Sequence, residues 1–190
     1  MAISFRGGDG VAGAGTHHAM ISEVRAYWEA LRHGPRLPLR AQIDPRGIEG
    51  ALEGAFILER VAPGIARFRL AGMQLVELIG MEVRGMPVSA LFDPTGRQRL
   101  ASGLEQVFTS PAVLDLRLEA ERGIGRPSLT ARMVVLPLRR DSDGADLALG
   151  CLATEGEIGR RPRRFFIANA MIEPLPTADS RPQAAPQMVA

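Results

Sequence analysis

The stretch "PSLTARMVVLPL", residues 127–138, decides how this chain must fold. Written as a strand, it sends Met133 and Val135 to one side and Val134, Leu136 and Leu138 to the other, because successive side chains alternate. A strand apolar on both sides lies inside a sheet with material packed against each face. Its neighbours support that reading. In "DLALGCLATEG", residues 146–156, Leu147, Leu149 and Cys151 oppose Ala148, Gly150 and Leu152. In "AVLDLRLEAER", residues 112–122, Leu114, Leu116 and Leu118 alternate with Asp115, Arg117 and Glu119, so one of its faces is wet. The turn-rich "GIGRP" and "RRDSDGA" separate the three, which predicts an antiparallel series.

Upstream, "AFILERVAPGIARFRLAG", residues 55–72, reads as two strands around a Pro-Gly turn, with Phe68 and Leu70 alternating against Arg67 and Arg69. The period then changes. Met73, Val76 and Ile79, flanked by Leu75 and Leu78, predict a short amphipathic helix ending near Gly80. "DPxG" occurs at residues 44–47 and 93–96, each placing a capping aspartate before a proline suited to the first helical position. The first predicts a short helix over 45–53, with a simple type I turn as the open alternative. The second starts a helix whose Leu100, Leu104, Val107 and Phe108 share a face and which ends before Pro111.

These central helices cover one face of the sheet, so the other face needs a second cover. "EVRAYWEALRHG", residues 23–34, holds the only tyrosine and the only tryptophan. Ser22 can cap a helix there, Gly34 and Pro35 stop it, and a helix over 22–33 places Val24, Tyr27, Trp28 and Leu31 on one apolar face. These four are the interface candidates, expected to cover the sheet either within their own subunit or across a dimer. "PRLPLRAQI" then runs extended over the surface, since Pro35 and Pro38 forbid regular helix.

The 190 residues are 46% hydrophobic and 23% charged, enough for one core without staples. The single cysteine, Cys151, reads as a core residue and fits a reducing compartment. No apolar run is long enough for a membrane span and "MAISFR" lacks a leader's apolar stretch, so the cytosol is the expected address. A single domain is expected over 20–175, with disordered tails at 1–19, rich in glycine, and 176–190, rich in proline. All 23 basic residues are arginine, balanced by 21 acids to a net charge of +2, which is no nucleic-acid footprint. The local exception is "GRRPRRFF", where Arg160, Arg161, Arg163 and Arg164 precede two phenylalanines. Such a cluster reads either as a solvated connector or as a patch for an anionic surface or nucleic acid.

Catalytic and metal signatures are missing. "GDGVAG", residues 8–13, matches GxGxxG but has no strand before it, and a chain without lysine has no lysine-bearing phosphate loop. No GxSxG elbow occurs, and His17, His18 and His33 lack the spacing of a metal pair. Asp93 is explained as a cap.

In order, "YWEALRHGPRLPLRAQIDP" (27–45), "RFRLAG" (67–72), "LIGMEVRG" (78–85) and "LGCLA" (149–153) resemble a bacterial subfamily of small PAS-domain proteins. Met73 stands where a threonine commonly follows the "LAG" glycine in such sequences, so a polar pocket contact is not carried over there. The resemblance implies an α+β fold: a five-stranded antiparallel sheet with short helices on one face and the N-terminal helix on or near the other. It implies a sensory or partner-binding role in signalling; separately, the module is expected to have no catalytic output of its own, to form a homodimer and to bind a signalling partner. Two alternatives stay open for the core: a small apolar metabolite held among Phe68, Leu70, Leu75, Leu104 and Met133, or a fully packed core with no ligand. No cofactor is expected. Haem is set aside because the histidines precede the PAS-like core, and photoreactive flavin because Cys151 does not sit in an "NCRFLQ"-like segment. The reading from another class is a nucleic-acid or anionic-surface binder using the Arg160 to Arg164 cluster.

Overall fold

The structure, a computed structural model, describes residues 11–140 and 145–176. Its regular elements are α1 (Val11–Ala30), β1 (Ala55–Ala62), β2 (Ile65–Ala71), α2 (Met73–Ile79), α3 (Pro94–Thr109), β3 (Ala112–Ala120), β4 (Leu129–Arg139), β5 (Ala145–Gly156) and β6 (Phe165–Pro174). Gly64, at a φ of 67°, turns β1 into β2. Gly80, in the left-handed region, closes α2 and donates its N–H to the Val76 carbonyl. The Asp93 carboxylate accepts from the N–H groups of Thr95 and Gly96 and starts α3, as the second "DPxG" predicts.

The strands form one antiparallel α+β sheet in the order β2-β1-β5-β4-β3-β6. The hairpin and the three-strand series are those read from the sequence, and the central position of β4 and β5 explains their two apolar faces. The sheet has six strands rather than five. The sixth, β6, adds to the β3 edge; only its first residues alternate in burial, since Phe165 and Ile167 point inward and most residues after Ile167 are exposed. That short inward signal hides an edge strand in the sequence.

Two helix boundaries also differ. α1 begins at Val11, not at Ser22, because Ile21 is buried and Met20 packs on the core, so apolar contact carries the helix upstream of the expected cap. The first "DPxG" opens a 3₁₀ segment, Pro45–Ala51, with a break at Ile48 (φ −135°) rather than an α-helix. Of the expected tails, 1–10 and 177–190 lie outside the described residues, as do Gly8 and Gly10 of "GDGVAG".

The two faces of the sheet are covered by different elements. Val134, Leu136 and Leu138 pair with Cys151, Leu149 and Leu147 and lie beneath α1, which the 3₁₀ segment packs against. On the opposite face Val135 lies beside Leu114, whose side chain fills the space next to Gly103 of α3. Trp28 and Val24 are fully buried, so the aromatic helix covers the second face within its own chain.

Candidate functional site

The inner, α3-facing side of the sheet is where the expected ligand residues meet. Phe56 turns its ring into the space over Gly150, where a Cβ would come within 2.1 Å of it, and meets Phe68 edge-on at 5.5 Å and 86°. Phe68, Leu75, Leu104 and Met133 are all buried in one cluster with them. Leu70 is not. A bulge in β2 pairs Ile57 with Leu70 but the next residue, Leu58, with Phe68, so Leu70 leaves the face that Phe68 occupies. It is 45% exposed on the outer side, which corrects the expected alternation and removes it from the inner set.

On the outer side α1 is fixed by directed bonds as well as by burial. The Trp28 Nε1–H donates to the Pro137 carbonyl at 2.9 Å, and the Arg32 guanidinium lies 5.1 Å from the Trp28 ring centre. Pro137 sits beyond the last β3–β4 pair, Leu114 with Val135, so its missing N–H breaks no bond to β3. Tyr27 turns the other way. Its hydroxyl accepts from the Asp44 N–H at 2.7 Å and donates to the Gln42 carbonyl at 3.1 Å, while its ring occupies the space beside Gly47. A Cβ at Gly47 would lie 2.1 Å from that ring, so the glycine of the first "DPxG" is needed for close approach. Leu31 is half-buried at the end of the helix. Of the interface candidates, Val24 and Trp28 are therefore already occupied within the chain. Cys151, beneath the same helix, is buried, and burial with the Glu23 charge pushes its thiol up to about 12.

Beside the N-terminal part of α1, at His18, the outer face becomes polar. Arg132 pairs bidentately with Asp115 at 3.0 and 2.6 Å, an arrangement that holds the guanidinium more firmly protonated, and its third nitrogen meets His18 Nδ1 at 3.2 Å. Arg117, Glu119, Thr130 and Asn169 extend this surface around a concavity of about 650 Å³. Phe166 (47%) and Met171 (59%), opposite Glu119 and Asp115 in the β3–β6 register, are exposed beside it. Sequence reasoning missed this surface because its β6 half was not recognised as a strand.

The arginine segment does not form a single basic patch. Arg163 is fully buried, and its two terminal nitrogens donate to the carbonyls of Glu157, Ile158, Glu121 and Pro127. Burial pushes its pKa down, followed in effect by the Arg126 charge. It ties the β5–β6 connection to the β3–β4 connection. Arg161 lies against Gly80, Arg160 against Gly125, and Arg164 is exposed. The expected cluster thus loses Arg163, because a guanidinium satisfies four carbonyls that the folded loops bring together.

A family model described as a PAS domain matches residues 16–153, most of this architecture. The chain belongs to the PAS domain family. Within this PAS protein the match ends in β5, so β6 and the buried Arg163 lie beyond it. Comparison with curated proteins finds no match. Among solved structures, the light-state LOV domain of the blue-light photoreceptor Aureochrome1 is similar, with a TM-score of 0.42 and 15% identity over 59% of this chain and 88% of that chain. Among the described residues of the PAS protein, no three His, Cys, Asp or Glu side chains form a metal-binding group. No helix among them is long and apolar enough to cross a membrane.

Proposed function

We propose that this PAS protein is a cytosolic sensory or signalling module without catalytic output, folded as one domain over 20–175 and acting through protein contact. The observation that supports this reading most directly is the polar half of the outer sheet face, where Phe166 and Met171 are exposed next to charges of both signs. Arg117 and Glu119 lie two positions apart on the same side of β3, so a twofold-related copy can set each against its opposite. A self-complementary surface of this kind favours a second copy of the chain as the occupant, with a downstream signalling protein reading the dimer. The two aromatic and thioether side chains supply the apolar contact, and the flanking charges set the register. The inner side, filled by Phe56 and Phe68, favours a module that works through this surface over one that works through a metabolite among Phe68, Leu75, Leu104 and Met133.

Sedimentation velocity across a concentration series tests the reading. The full chain is expected to dimerise, and Phe166→Glu with Met171→Glu is expected to give a folded monomer. A parent protein that stays monomeric throughout, or a double variant that still dimerises, overturns this use of the surface.

A further inference from the structure

The bulge that expels Leu70 from the inner core places it in a second site on the outer face, at the opposite edge of the sheet from β6. There Leu70 joins Ile43, Ile48, Leu52, Ile57 and Leu149 around a predominantly apolar cavity of about 200 Å³, between the segment after α1 and the β1–β2 edge. Leu52 (40%) and Leu70 (45%) are left exposed at its mouth. The cavity continues into a second of about 360 Å³, since Arg40, Ile57 and Leu70 line both. Among the described residues the second is lined by Arg40, Arg69, Arg84 and Arg140 and by no carboxylate. Glu59, nearby, already bonds Arg67, Arg69 and Arg140. Those bonds, to Arg140 first and then Arg67, hold its carboxyl down at about 2. Among the described residues neither the Arg40 nor the Arg84 guanidinium contacts a carboxylate; Arg84 Nε donates to the Arg69 carbonyl.

An apolar trough leading into a cluster of arginines matches one chemistry. We infer that this site binds an anionic amphiphile, a single medium-length acyl chain whose carboxylate or phosphate head meets Arg40 and Arg84 while the chain covers Leu52 and Leu70. Joined, the two cavities reach the size of small-molecule sites, roughly 300–1,000 Å³. Arginine suits either head, because its planar fork pairs bidentately with carboxylate and phosphate alike. The site lies on the opposite face of the sheet from Phe68 and Met133, and it is independent of any contact made at Phe166.

Isothermal titration calorimetry of the full chain with decanoate, decyl phosphate and 1-decanol, each below its micellar concentration, tests the inference. At least one of the two anions is expected to bind at a single site about tenfold tighter than the alcohol and to weaken as salt is raised. The tighter anion identifies the head group. Arg40→Ala and Arg84→Ala are each expected to weaken that anion about fivefold, and Leu70→Glu to abolish binding with an unchanged circular dichroism spectrum. Arg84 is exposed, so its variant tests the head-group contact even if Leu70→Glu perturbs folding. Absence of saturable binding by both anions, equal affinity for the alcohol, or undiminished binding to Arg40→Ala and Arg84→Ala overturns the inference.

Discussion

Two halves of the outer sheet face are built from the same strands and behave differently. Along β4, Val134, Leu136 and Leu138 are buried, whereas Thr130 and Arg132, four and two positions before Val134, are exposed and half-buried. The first group lies under α1; the second borders the wide concavity beside β6. The difference shows that a sheet face is not apolar or polar as a unit. Its chemistry follows the apolar part of the helix that crosses it, around Ile21, Val24 and Trp28, and turns polar where His18 of the same helix meets Arg132.

Trp28→Ala should break the comparison most severely, costing about 3–5 kcal/mol because it opens a cavity under α1 and leaves the Pro137 carbonyl without its donor. Urea denaturation measures this. A loss no larger than that of Phe166→Ala would mean that the covered half is not held by its aromatic cover. Arg163→Met should cost about 3 kcal/mol in the same assay, since it strips charged donors from carbonyls of both connections. Little change would show that water replaces the guanidinium there.

Gly150→Ala tests the inner face. Its Cβ would collide with the Phe56 ring, and a loss of about 1–3 kcal/mol is expected from overpacking, whereas an unchanged midpoint would reveal slack between Phe56 and Phe68. Acid titration separates Glu59 from these packing effects. Its folded carboxyl lies at about 2 against an ordinary value of 4.5, so its contribution is present above pH 4.5 and is lost as pH falls through about 2. Thermal melts of Glu59→Gln should converge on those of the parent protein through that window; a constant difference would assign its role to shape rather than charge. Smallest of all, Phe166→Glu should change monomer stability by within about 0.5 kcal/mol, the sharpest contrast with Trp28. A large loss would place Phe166 in the core instead.

Much of this was legible from local chemistry. The Pro63-Gly64 turn, the Gly80 stop, the Asp93 cap and the alternation around Met133 and Cys151 each depend on neighbours in sequence, and each stands as read. The need for a cover over the second face of the sheet was likewise legible, as was Trp28 as the residue to provide it. The site was less so. Leu70 alternates with Arg69 in the sequence, but the bulge against Ile57 and Leu58 sends it outward, and a bulge is a property of the pair of strands.

By itself the sequence determined the order of strands from β1 to β5, the caps and turns around them, and a sheet whose central strands are dry on both sides, because periodicity and backbone preference act over a few residues. Only the tertiary structure decided that β6 closes the β3 edge, that Arg163 is a buried tie between loops, and that Arg40, Arg84 and Leu70 share one cavity. Each of those outcomes depends on groups far apart in the chain, and the cost of leaving carbonyls, strand edges or apolar surface unsatisfied is settled only when the fold brings them together.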